Sequence, residues 1–110
     1  MRVAVVALLL GAAPASAAVW KTGQRLYDDC VPTKTDICIG YIDGIVDAVT
    51  VGAEAAGRVP PICIPSGMQA GEVADLVVDF IEKNPRYLPL PAAVSVMLAG
   101  ARKIPCRGGN

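Results

Sequence analysis

DICIGYIDGIVDAVTVGAEAA, residues 36–56, is the stretch that decides the fold. Ile39, Ile42, Ile45, Val46 and Val49 recur at steps of three and four, the period of one helix face. Asp36 stands where a capping side chain belongs, so the pattern predicts a long helix from about Ile37 to Ala56. Gly40, Gly44, Ala48, Gly52 and Ala56 fall every fourth residue and form a smooth ridge along the same helix. A glycine inside a helix costs about 1 kcal/mol relative to alanine. Three of them therefore call for a compensating contact, and small residues at this spacing let a second helix come close. Close helix packing is accordingly expected at Gly40, Gly44 and Ala48, and the smooth ridge makes a homodimer the expected oligomer.

The flanking sequence reads as helices too, and no alternating strand pattern interrupts them. A short helix is expected from about Thr22 to Cys30, weakened at its start by Gly23 and broken by Val31-Pro32. Gly57 to Ile64 is a turn, rich in glycine and proline. Ser66, with Gln69 three residues on, suggests a capping box for a third helix running to about Lys83. Val73, Leu76, Val77, Phe80 and Ile81 lie on one face of it; Glu72, Asp75, Asp79 and Glu82 lie on the other, most simply facing solvent. Asn84-Pro85 ends it. Pro91 then suits the first turn of a fourth helix, striped by Val94, Met97, Leu98 and Ala101. The predicted fold is all-α: a compact bundle of about four helices with short connections.

Ahead of this domain, Met1-Arg2 is followed by an apolar run, Val3 to Leu10, and by small residues ending in Ala15-Ser16-Ala17. That is the form of a secretory signal peptide cleaved after Ala17, which makes residues 1–17 the signal and 18–110 the helical domain. The apolar run is too short to span a bilayer. Cleavage leaves 93 residues carrying nine basic and ten acidic side chains, a net charge of about −1. Nucleic-acid binding rests on a strong positive field and is not expected. A membrane span after cleavage is not expected either.

All four cysteines, Cys30, Cys38, Cys63 and Cys106, lie in the exported part, and export favours disulfides. A zinc ribbon would bring its ligands in closely spaced pairs, whereas the gaps here are 7, 24 and 42 residues. Cys30 closes the first helix and Cys38 opens the second, so the simplest pairing is Cys30–Cys38 with Cys63–Cys106. Four cysteines permit three connectivities, and the sequence leaves the other two open.

Catalytic chemistry is hard to build from what remains. There is no histidine, which removes the commonest general base and metal ligand. Ser66 and Ser95 lack a nucleophile-elbow context. Asp43 and Asp47, one helical turn apart, are the best carboxylate pair, but such pairs usually make a solvated helix face. The expectation is a binding protein with no enzymatic activity, no cofactor and no metal.

The order of motifs then adds a resemblance. L-Y-D-D-C ending at Cys30, C-I-G-Y-I-D-G-I-V-D-A from Cys38 to Ala48, I-C-I-P-S-G around Cys63, E-K-N-P-R-Y-L-P-L-P-A-A from Glu82 and I-P-C at Cys106 together resemble the Rap/Tai group of immunity proteins associated with type VI secretion. The likeness covers about Thr22 to Cys106. It departs at Ile104, where the group often has phenylalanine, and at Glu72, where glutamine is usual. It implies a small helical, disulfide-bonded and commonly dimeric protein of the Gram-negative periplasm. Such a protein binds a peptidoglycan amidase effector and covers its active site, without catalysis of its own. The contact residues differ from member to member, so none is carried over. A small periplasmic chaperone or structural adaptor is the alternative.

Overall fold

The computed structural model describes residues 20–106; the expected signal peptide and its Ala17 cleavage site lie outside them. The elements are α1 (Gly23–Cys30), α2 (Asp36–Ala55), α3 (Ala70–Lys83), a 3-10 turn (Pro85–Tyr87) and α4 (Ala92–Lys103). This is the all-α bundle expected from periodicity, with no strand among the described residues.

Helix starts are fixed by local hydrogen bonds, in two cases not those the sequence suggested. At α2 the cap is Thr35: its hydroxyl accepts from the Cys38 backbone N–H at 3.1 Å. Asp36 is displaced into the first turn, where its charge meets the positive end of the helix dipole. At α3 the capping box forms one position set later than Ser66–Gln69. Glu72 accepts from the Gln69 backbone N–H at 2.8 Å, and the helix begins at Ala70. Ser66 belongs instead to a turn closed by the Met68 N–H on the Pro65 carbonyl, with Gly67 at φ +89°.

Helix α1 depends on the segment before α4 for its start. The first four N–H groups of a helix have no partner within it. Here Gly23 donates to the Leu90 carbonyl and Gln24 to that of Leu88, both at 2.9 Å, while Arg25 donates to the Thr22 hydroxyl at 3.2 Å. Ala92 in turn donates to the Lys21 carbonyl at 2.9 Å, so each helix start supports the other.

The core is one cluster in which α4 packs against each of the other three helices. Leu26, Ile42, Val73, Val77, Ile81 and Val96 supply its bulk. The α4 contribution is small: Ala92, Ser95, Ala99 and Gly100 are all buried, alongside Val96. The close-packing seam of small residues is therefore on α4. The Gly40–Gly44–Ala48 ridge was expected to receive another helix, yet a β-carbon added at Gly40 or Gly44 would meet nothing within 4 Å. Among the described residues nothing covers the ridge, because α2 turns its isoleucine and valine stripe inward and its glycines out.

Two disulfides close the structure. Cys30–Cys38 joins the end of α1 to the first turn of α2, with Cα atoms 5.1 Å apart. Cys63–Cys106 joins the α2–α3 connection to the chain beyond α4, at 4.7 Å. Beside the second, Cys63 N–H donates to the Ile104 carbonyl at 2.8 Å. In the chain-entropy account the short loop contributes about 2.5 kcal/mol and the long one about 4 kcal/mol. Free cysteines are absent among the described residues.

Candidate protein-binding surface

Helix α2 has a buried stripe of Cys38, Ile42 and Val46 and, opposite it, a face no other element covers. At 100° per residue, Ile37, Gly44, Ala48, Val51 and Ala55 fall within about 60° of one another on that outer face, with Gly40 beside them. Ile37 is 65% exposed and Val51 64%, the largest exposures of any aliphatic side chain in the described bundle. Towards its C-terminal half the face deepens into a groove of about 380 Å³. Ala48 and Gly52 lie at its floor, and Arg58, Val59 and Pro61 of the following turn form its wall.

One edge of this shelf is acidic. Asp36, Asp43, Asp47 and Glu54 lie within about 40° of one another on the same 100° wheel, and α2 contains no lysine or arginine. None of the four carboxylates takes part in an ion pair or side-chain hydrogen bond among the described residues.

The acids of α3 face solvent as expected, but unlike those of α2 they have partners within the chain. Glu72 caps its own helix, Asp75 pairs with Lys34 at 2.6 Å, Asp79 pairs with Lys83 at 3.1 Å, and Glu82 accepts from the Tyr27 hydroxyl at 2.8 Å. Each is engaged within the chain. The contrast selects α2 as the surface with unspent polar and apolar capacity.

Asp43 and Asp47 face solvent along that edge, Asp43 half-buried and Asp47 exposed. Among the described residues no group of three histidine, cysteine or carboxylate side chains is placed to hold a metal ion. No described helix is long and apolar enough to cross a membrane.

Arg58, Val59 and Pro61 were missed as surface residues. In the sequence they belong to a turn rich in glycine and proline, and only the fold brings that turn back against Ala48 and Gly52. Gly57, at φ +71°, makes the reversal.

The chain matches the family model of Rap1a immunity proteins over residues 22–106 and belongs to that family. It is thus an immunity-type protein of the type VI secretion class. The match begins at the α1 cap and ends at the last cysteine, so it spans the whole described bundle. No curated protein and no solved structure matches the chain.

Proposed function

We propose that this protein is exported to the periplasm by residues 1–17 and there binds a peptidoglycan amidase effector, covering its active site without catalysing a reaction. The observation that carries the reading is the α2 face: exposed aliphatic side chains beside small residues, edged by four carboxylates with no partner among the described residues. Uncompensated exposed apolar area of this kind marks protein contact surfaces. The acidic edge adds a charge preference, fitting a partner whose contact rim is basic and steering its approach.

A second copy of the chain is the competing occupant, since the Gly40–Gly44–Ala48 ridge suits close helix approach. Pairing two α2 faces would bring eight carboxylates and no α2 cation to one interface. That weighs towards a basic partner of another sequence.

The test is an inhibition assay. The mature protein is mixed with the amidase encoded beside its gene, and release of cell-wall fragments is followed. Stoichiometric inhibition is expected, with loss of at least tenfold in affinity for Val51→Asp, a change on an exposed residue that leaves the core intact. Inhibition unaffected by Val51→Asp and Ala48→Glu would move the contact off α2. Absence of binding to that amidase would overturn the amidase reading. Suppression of aggregation of unrelated periplasmic clients would favour the chaperone alternative.

A further inference from the structure

The C-terminal ends of α3 and α4 come together in a basic corner beside Tyr87. The Phe80 and Tyr87 rings stack with centroids 5.3 Å apart, tilted at 41°. The Arg102 guanidinium sits 5.2 Å from the Phe80 centroid and that of Arg86 5.1 Å from the Tyr87 centroid. Arg86 also donates a long hydrogen bond of 3.4 Å to the Tyr87 hydroxyl. Lys83 and Lys103 flank the corner, in a cleft of about 270 Å³ that Arg102, Asn84 and Asp79 also line. The only carboxylate in that cleft, Asp79, is engaged by Lys83.

Neither Arg86 nor Arg102 has a carboxylate partner among the described residues. Both nevertheless act on one phenol: the hydrogen bond from Arg86 lowers the Tyr87 pKa below the usual tyrosine value of 10.0, desolvation opposes it, and the charges of Arg86 and Arg102 add smaller lowering effects. The two guanidiniums lie against neighbouring rings, Arg102 by Phe80 and Arg86 by Tyr87. The N–H groups of a guanidinium form a fork of the shape a carboxylate accepts bidentately. Holding like charges together without a counter-ion is unfavourable, and an incoming anion relieves it. The helix C-termini account for some of these cations through the dipole, but a dipole does not require stacking or convergence on Tyr87.

We infer that the Arg86–Tyr87–Arg102 corner is a carboxylate-recognition site that receives an acidic segment of a partner protein. It lies on α4 and the 3-10 turn, apart from the α2 shelf, and does not rest on the amidase reading. Two guanidiniums carried on neighbouring rings favour a carboxylate-bearing peptide over a compact inorganic anion, because a chain can offer each of them its own planar carboxylate.

The experiment titrates the mature protein with a blocked hexaglutamate peptide at low salt, following the arginine side-chain N–H resonances and the ultraviolet ionisation of tyrosine. The Arg86 and Arg102 resonances should shift together, and the Tyr87 midpoint should move upward as the peptide neutralises its neighbours. Arg86→Gln with Arg102→Gln should weaken binding at least tenfold with an unchanged far-ultraviolet spectrum, as both side chains are exposed. Arg86→Lys with Arg102→Lys, retaining charge but not the forks, should lose most of that binding. Equal binding by the double glutamine variant overturns the site. Inorganic phosphate binding as tightly as the peptide, or a self-association that the double variant abolishes, overturns the assignment to an acidic partner segment.

Discussion

Gly23 and Tyr87 are in backbone contact: a β-carbon placed on Gly23 would lie 2.8 Å from the Tyr87 carbonyl oxygen and 3.2 Å from the Leu88 Cα. Both obstacles are main-chain atoms, tied to α1 by the hydrogen bonds from Gly23 and Gln24. Neither can move without breaking the start of the helix. Gly23→Ala, which would ordinarily strengthen a helix, is expected to destabilise this one by about 2 kcal/mol, the scale of overpacking in a tight site. A denaturant midpoint at or above that of the wild type would show that the junction yields.

Ser95 presents the reverse case. Its hydroxyl is fully buried in the α4 seam and has no hydrogen-bond partner among the described residues. A buried polar group left unpaired costs about 1–3 kcal/mol. Ser95→Ala removes that cost while keeping the small volume the seam requires, and should raise stability by about 1 kcal/mol. Thermal unfolding of the two proteins at equal pH decides it.

The two disulfides should separate under reductant. Cys30 and Cys38 are 3% and 0% exposed, whereas Cys63 lies open at the surface. Mild dithiothreitol on the folded protein is expected to break Cys63–Cys106 first, as read by differential alkylation and mass. Replacing that pair by alanines should cost about 4 kcal/mol and replacing Cys30–Cys38 about 2.5 kcal/mol. Each is a large share of a small domain's 5–15 kcal/mol or so. Equal losses from the two pairs would contradict the loop-length account.

The tyrosines should ionise in an order set by their neighbours. Tyr27 is raised above 10.0, first by its hydrogen bond to Glu82 and then by desolvation and that carboxylate's charge; Tyr41 is raised by burial; Tyr87 is lowered by Arg86 and Arg102. A raised pKa in the folded state means stability present below the unfolded value and lost as pH rises through the folded one. The Tyr27–Glu82 contact therefore loosens only in strong alkali. Glu82→Gln should bring the Tyr27 midpoint down, and Arg86→Gln should bring that of Tyr87 up. An ultraviolet titration with three indistinguishable midpoints would count against both contacts.

Much of this was legible because helix period and breaker residues are local signals. The α2 stripe, the amphipathic α3 and the four cysteines at element ends led to the observed bundle and pairing. What the sequence could not disclose was direction. A four-residue ridge of glycine and alanine looks the same whether it faces a neighbour or solvent, and Ile42 and Val46 took the inward place. The small residues that are packed, Ala92, Ser95, Ala99 and Gly100, share only one four-residue step, Ser95 to Ala99, and make no run long enough to announce a seam. Gly100 is required because a β-carbon there would stand 2.6 Å from Ile62 Cδ1, a contact made across 38 residues. The α3 acids do face solvent, but their partners were not legible: Asp75 and Glu82 meet Lys34 and Tyr27, 41 and 55 residues away.

The outward ridge makes a decisive substitution available at Gly44. Were the ridge a packing seam inside the bundle, Gly44→Leu would clash and unfold the chain. With nothing within 4 Å of the place a β-carbon would take, leucine fits, and leaving glycine for a good helix former adds about 0.5–1 kcal/mol to the helix. The variant should therefore melt at or above the wild-type temperature as a folded monomer. At the same time a leucine projecting from the middle of the α2 face would hold any docked partner away from the small residues, so binding should fall by at least tenfold. A variant that is stable but does not bind places the contact on this face. One that is stable and still binds removes the contact from it, while an unstable one refutes the outward orientation of α2. Sedimentation of the same two proteins at micromolar concentration reports whether the lost partner was a second copy of the chain.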